Sequence, residues 1–271
     1  MRLRSALALS GLAAAAGWLL DAAVFTPRRF RLYDLPLAVP GWPGELDGLR
    51  VAVLADLHAG APWVDLDRAR EVVAAIVAAE PDLVLLVGDY LADVTFGTHV
   101  EPHELARVLA PLSALPVVSV LGNHDWYAGG WRVRAALESV GIPVLEEQAV
   151  PVLDGRLWIA GVGDLWERTP SVGDALVEVP EGAPVILLSH NPDCVGDVPD
   201  SVALVLSGHT HGGQVAVRGR PLHHVSERSA NTLIKGWYAE HRLFVTAGVG
   251  SSLIPLRTVT PEVPILVLGP A

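Results

Sequence analysis

Five short stretches carry side chains able to act together: Asp56-Leu57-His58, Gly88-Asp89, Gly122-Asn123-His124-Asp125, Ser189-His190 and Gly208-His209-Thr210-His211. Taken singly, each has a plain explanation. An Asp after a strand commonly serves a turn. Gly-His-Thr-His is more specific, because two imidazoles at i and i+2 in a tight turn can face one ion. Imidazole nitrogen combined with carboxylate oxygen suits Mn, Fe, Co, Ni or Zn, and the absence of thiolate argues against softer ions. Apart from Asp125, the set holds two Asp, one Asn and five His, more than one mononuclear site uses. Two divalent ions sharing a ligand are therefore expected. A carboxylate can bridge two cations, whereas neutral imidazole cannot. Asp56 and Asp89 would offset only part of the charge of such a pair, leaving about +2 to attract hydroxide and an incoming phosphate. Two ions roughly 3.5–4 Å apart generate hydroxide near neutral pH and steady the charge of a phosphoryl transition state.

These stretches need elements to position them. Each follows a short apolar run. Runs at 50–54, 83–87, 117–121, 157–162, 185–189, 202–206, 243–246 and 265–268 are β-branched or Leu-rich and end at turn-forming residues, so they read as buried strands. Another strand is expected to start within 214–217. Helical spacing marks 65–79, with Asp65 as N-cap, and also 101–109 and 131–140. Strand and helix alternate in the first half, which predicts βαβ units and an α/β fold with a mixed β core. Ligands of open α/β sheets bind outside the carboxyl ends of strands. The five stretches are thus expected to meet at one rim.

Composition narrows the class. The chain has 271 residues, 51% hydrophobic and 18% charged, which argues against disorder. Its net charge of -11 opposes a bulk grip on nucleic acid, so no nucleic-acid binding is expected. One cysteine, Cys194, permits no internal disulfide and reads as a small core residue. Residues 5–20 run without a charge between Arg2, Arg4 and the later Arg28, Arg29 and Arg31. Three readings of residues 1–30 stay open: an N-terminal membrane anchor, a cleaved signal segment, or a buried helix. Arginines on both flanks leave the side of the membrane undecided. The protein is expected to be membrane-associated or exported. Residues 31–271 read as one catalytic domain.

The ordered motifs resemble those of the calcineurin-like metallophosphoesterase superfamily across nearly all of residues 50–250. Within it the chain is similar to the bacterial YaeI/YkuE-like phosphodiesterase subgroup. ADLH at 55–58, GDY at 88–90, GDLW at 163–166, SHNPD at 189–193, SGHTHGGQV at 207–215 and GVGSS at 248–252 carry that closer match. The resemblance implies a four-layer α/β/β/α sandwich with two mixed β-sheets. It implies Asp56, His58, Asp89 and His211 around a first metal, and Asn123, His190, His209 and the bridging Asp89 around a second. His124 would protonate the leaving oxygen, with Asp125 orienting it. The implied reaction is direct attack of a metal-bridging hydroxide on a phosphodiester or pyrophosphate. Related enzymes cleave UDP-2,3-diacylglucosamine, so a lipid-linked or other phosphoester small molecule is the expected partner.

Other residues and readings remain open. Trp126, Tyr127 and Trp166 are candidates for an apolar wall, or for ordinary packing at the rim. His99, His103, His223 and His224 are candidate substrate contacts or plain loop histidines. The scattered arginines single out no phosphate ligand. Gly212 and Gly213 are expected to let the backbone pass close to the metals. A phosphomonoesterase or protein phosphatase is an alternative, because loops decide between ester classes. A catalytically silent metal-binding scaffold at the membrane is another, which the intact His124-Asp125 pair opposes.

Overall fold

A computed structural model describes residues 2–92, 96–217, 220–223, 232–252 and 254–271; His224 lies outside the described residues. The strands in chain order are β1 (Arg31–Val39), β2 (Leu49–Leu54), β3 (Leu83–Val87), β4 (Val117–Val120), β5 (Gln148–Val152), β6 (Leu157–Gly161), β7 (Val185–Leu188), β8 (Leu204–Ser207), β9 (Ala216–Val217), β10 (Arg220–Pro221), β11 (Gly236–Tyr238), β12 (Leu243–Val245) and β13 (Glu262–Pro270). The helices are α1 (Arg2–Leu20), α2 (Leu66–Ala78), α3 (Pro102–Leu109), α4 (Asn123–Tyr127), α5 (Gly130–Glu138) and α6 (Val172–Ala175).

Two mixed sheets form the centre. One has the order β1-β13-β2-β3-β4, the other β11-β12-β8-β7-β6-β5. β2, β3 and β4 run parallel, as do β12, β8, β7 and β6. Antiparallel pairing occurs where β13 meets β2, where β11 meets β12 and where β5 meets β6.

Side-chain alternation along a strand divides the core. Ala52, Leu54, Val84 and Leu86 face α2, α3 and α5, packing on Val72, Ile76, Leu105, Leu109 and Leu137. Their neighbours Val51, Val53, Leu83, Leu85 and Val87 face the second sheet and meet Leu157, Ile159, Ile186, Leu188, Leu204 and Leu206. The outer face of the second sheet buries Ala160, Leu187, Val205 and Val245 beneath Val172, Ala175 and Cys194. The result is the α/β/β/α layering. Its fourth layer is thin, made of the four-residue α6 and a 3-10 segment at Pro192–Asp197 rather than long helices.

Most strands lie within a residue or two of their expected positions. β1, β5, β10 and β11 are additional. β1 carries Asp34 and Pro36 and is largely exposed along one side, as an edge strand allows. Its nine residues pair in parallel with β13, so the last run is longer than its apolar centre indicates. Asp65 caps α2 by accepting from the Arg68 N–H at 2.8 Å.

The N-terminal segment differs from one of its three readings. α1 continues into a π-helical turn at Asp21–Phe25, and residues 10–20 are exposed, so this is not a buried core helix. Among the described residues, no helix is long and apolar enough to cross a membrane. Its end is nevertheless fastened: Ala22 is buried and its carbonyl accepts from the Arg257 N–H at 2.8 Å.

Leu85 is fully buried between the two sheets. Leu85→Ala is expected to lower the unfolding free energy by about 2–5 kcal/mol, read as a shifted urea midpoint with unchanged slope.

Candidate metal centre

The five chemical stretches sit at the C-terminal ends of β2, β3, β4, β7 and β8. Three belong to one sheet and two to the other, so the site closes across two rims instead of one. Asp56, His58, Asp89, His209 and His211 all have φ between 47° and 67°. Such left-handed backbone is costly for residues other than glycine and tends to mark functional turns. It turns consecutive side chains sharply off the strand ends. Gly88 and Gly208 make room for this: a Cβ on Gly88 would lie 2.5 Å from the Gly122 nitrogen, and one on Gly208 would lie 2.5 Å from Asp56 Oδ2.

Two ligand clusters result. Asp56, His58 and His211 offer atoms all within 4.8 Å of one another, and so do Asp89, His190 and His209. Asp89 Oδ2 lies 3.6 Å from His58 Nε2 and 3.2 Å from His190 Nε2, so one oxygen faces both clusters. The other oxygen, Oδ1, accepts from the His124 N–H at 2.9 Å. Asp56 is held by the His209 N–H at 3.0 Å. The rings are aimed from behind. His190 Nδ1 donates to the Val87 carbonyl at 2.7 Å and His211 Nδ1 to the Gly250 carbonyl at 3.2 Å. This leaves both Nε2 atoms pointing inward, as outer hydrogen bonds do for ligating imidazoles.

The donor set fits metal ions on a direct observation. Asn123 Oδ1, His190 Nε2 and His209 Nε2 are buried and make no hydrogen bond. His58 Nε2 and His211 Nε2 face each other at 3.1 Å. Buried polar atoms are seldom left so, and cations supply the missing partners. His124 also comes within 4.8 Å of ligand atoms on His58 and Asp89, so proximity alone does not separate it from the ligands. It is less buried, and its Nε2 pairs with Ser252 Oγ at 3.2 Å at the edge of the cavity.

The profile of calcineurin-like phosphoesterases matches residues 49–213, more than half of the chain. The chain belongs to this family. Phosphodiesterase YaeI of Escherichia coli is 33% identical over 232 residues, covering 81% of this chain and 82% of its own. The uncharacterized metallophosphoesterase YkuE of Bacillus subtilis is 29% identical, over 83% of this chain and 81% of its own. A Danio rerio transmembrane protein with metallophosphoesterase domain is 31% identical across 84% of this chain, which spans only 54% of that relative. Family membership makes the chain a metal-dependent phosphoester hydrolase.

In this calcineurin-like site, the hydrogen-bond partners of Asp125 are backbone groups. Its carboxylate accepts from the N–H groups of Asp89 (2.8 Å), Gly122 (3.0 Å), Tyr90 (2.9 Å) and Leu91 (3.2 Å). It is fully buried, and His124 Nδ1 has no hydrogen-bond partner. Asp125 therefore locks the turn that carries Asp89, because three backbone donors there bond to its carboxylate. Of the aromatic candidates, Tyr127 and Trp166 line the cavity, and the Trp166 ring stands edge-on to His209 at 4.4 Å. Trp126 instead packs against Trp131 and beneath the Arg168 guanidinium. His99 is exposed and pairs with Glu101 at 2.9 Å, while His223 borders the cavity.

Three contributors escaped the sequence reading. Asp164, in the quoted GDLW stretch, is buried and caps the Trp166 and Glu167 N–H groups at 2.8 and 2.9 Å. Ser252, in GVGSS, contacts His124. Arg257 is fully buried and donates to the carbonyls of Ala247, Gly248, Gly250 and Val259. It braces the loop behind Asp56 and His211, and nothing in its local sequence marks it.

Burial dominates the proton chemistry. It pushes the Asp56 carboxyl up to about 7 and holds the His58 and His209 imidazoles down to about 3. Neutral imidazole is the ligating form. His190 behaves oppositely. Burial acts to lower it, but its interactions with Asp89, joined by the charges of Asp56 and Asp164, together outweigh burial and raise it to about 10. Burial likewise opposes ionisation of Asp89, yet His190 holds that carboxylate well below its usual range. An ion entering this cluster must displace the His190 proton. Affinity is therefore expected to rise with pH, by roughly tenfold per unit for one displaced proton, until pH approaches 10. Calorimetric titration with Mn²⁺ in buffers of different ionisation enthalpy checks this, and pH-independent binding contradicts it.

Proposed function

We propose that the protein hydrolyses phosphodiester or pyrophosphate bonds with two divalent ions, Mn, Fe, Zn, Co or Ni. Asp56, His58, Asp89 and His211 hold one ion; Asp89, Asn123, His190 and His209 hold the other. The observation that carries this reading is the position of Asp89 Oδ2, 3.6 Å from His58 Nε2 and 3.2 Å from His190 Nε2. A bound pair supplies a hydroxide nucleophile near neutral pH and offsets phosphate charge. His124 Nε2 stands at the cavity edge, where it delivers a proton to the departing oxygen. The Trp166 ring stands against His209, and Asp164 caps the turn that carries Trp166. The diester preference follows the name of the Escherichia coli relative.

The catalytic domain in this reading spans residues 31–271, with residues 1–30 as a separate N-terminal segment fastened to it at Ala22 and Arg28. A lipid surface is the proposed location. The exposed Leu12, Leu19, Leu20 and Phe25 support that placement, as does the printed name of the Danio rerio relative.

Turnover of bis(p-nitrophenyl) phosphate with each of the five metals tests the reading. Activity is expected with at least one metal and none after chelation. His124→Ala should lose about 10²–10⁴-fold in kcat, the usual range for a general acid, with two ions still bound. Asp89→Asn should lose both ions together. Full activity in Asp89→Asn, or no turnover by the fully metallated protein, would overturn the assignment.

A further inference from the structure

The cavity that holds Asp89, His124 and His209 extends well past them. Its volume is about 600 Å³, and Trp18, Tyr127, Trp166, Leu222, Ile254 and Leu256 make up much of its remaining wall. This is large enough to take a whole small ligand. Asp89 is the single Asp or Glu on that wall, and no Lys or Arg lines it among the described residues. Among the described residues, a second phosphate or a carboxylate beyond the reacting phosphorus would find no cation there. Apolar surface would find a matching seat.

Trp18 comes from α1, outside the family profile at 49–213. Its position is not that of a loose leader. The carbonyl of Ala22, four residues on, is bound by the Arg257 N–H at 2.8 Å. The Arg257 side chain in turn grips the Gly250 carbonyl, which also receives His211 Nδ1. Thr26 Oγ1 donates to Asp21 Oδ2 at 2.8 Å, and the Arg28 guanidinium covers the Trp63 ring at 3.8 Å. The π-helical turn that continues α1 is thus tied to the same loop that backs a metal-facing histidine. Trp18 is 41% exposed and sits at the cavity rather than in the core.

We propose that Trp18 is a specificity-determining residue: it forms the outer wall of a seat for the apolar tail of a phosphodiester whose phosphorus lies at the metal centre. This rests on the hydrolase reading above. The seat is continuous with the reaction site, so tail and phosphorus can be held at once. Burying the tail contributes binding in proportion to its length, up to about fourfold per methylene.

The test uses the full chain with Mn²⁺ and a series of p-nitrophenyl alkyl phosphates, from methyl through butyl to octyl, below their micelle concentrations. The leaving group stays constant, so only the tail varies. In the parent protein kcat/KM is expected to climb with chain length. Trp18→Ala should flatten that climb and lose at least tenfold on the octyl ester. Its methyl-ester rate should change less than twofold, which also shows that the variant is folded. Trp18→Phe should restore most of the climb. A flat profile in the parent, or equal losses on methyl and octyl esters in Trp18→Ala, would overturn the proposal while leaving the hydrolase intact. No turnover of any ester by the parent would instead bring down the hydrolase reading, and this one with it.

Discussion

The structure depends on a single carboxylate placed between two sheets. Asp89 leaves β3 in the first sheet, yet one of its oxygens faces His58 from that sheet and His190 from the other. Neither sheet alone presents a complete cluster. Packing Leu85 and Val87 on Ile186 and Leu188 brings the two rims into register, and the left-handed turns aim the side chains across the gap. The core between the sheets is therefore also the scaffold of the site. An interior packed at crystal-like density transmits small shifts, so metal spacing is set by hydrophobic contacts some distance away.

Asp125 shows how the same site restrains itself. Three of its four backbone hydrogen bonds fix the Gly88–Leu91 turn from beneath, and the fourth ties it to Gly122. A charged acceptor buried at this cost is tolerated because every donor around it would otherwise be unpaired. Arg257 does similar work for the loop at Ala247–Gly250, with a buried guanidinium spread over carbonyl oxygens. One anion and one cation, neither facing the cavity, hold the two turns that flank the ligands.

Much of this was legible in the sequence, because strand-end chemistry is local. The apolar runs at 83–87 and 185–189 mark β3 and β7, and the residues after them are the ones that gather. What was not legible is what depends on distant partners. The division of the five strand ends between two sheets follows from pairing, which no single run encodes. β1 escaped because Asp34 and Pro36 break the apolar pattern that an edge strand does not need. The backbone partners of Asp125 were not legible, because three of its four donors lie at 89–91, far from it in the chain. Arg257 and Trp18 carry no local signal at all, since their meaning comes from a loop and a cavity assembled from the rest of the fold.

The order of strands in the first sheet has a further consequence. β13, at Glu262–Pro270, lies between β1 and β2, which are formed by residues 31–54. A chain emerging from the ribosome holds Asp56 and Asp89 long before the strand that completes their sheet exists. Pairing so distant in sequence is slow to form. The first sheet thus cannot close until residues 262–270 have been made, and until then the β2 edge lacks its partner.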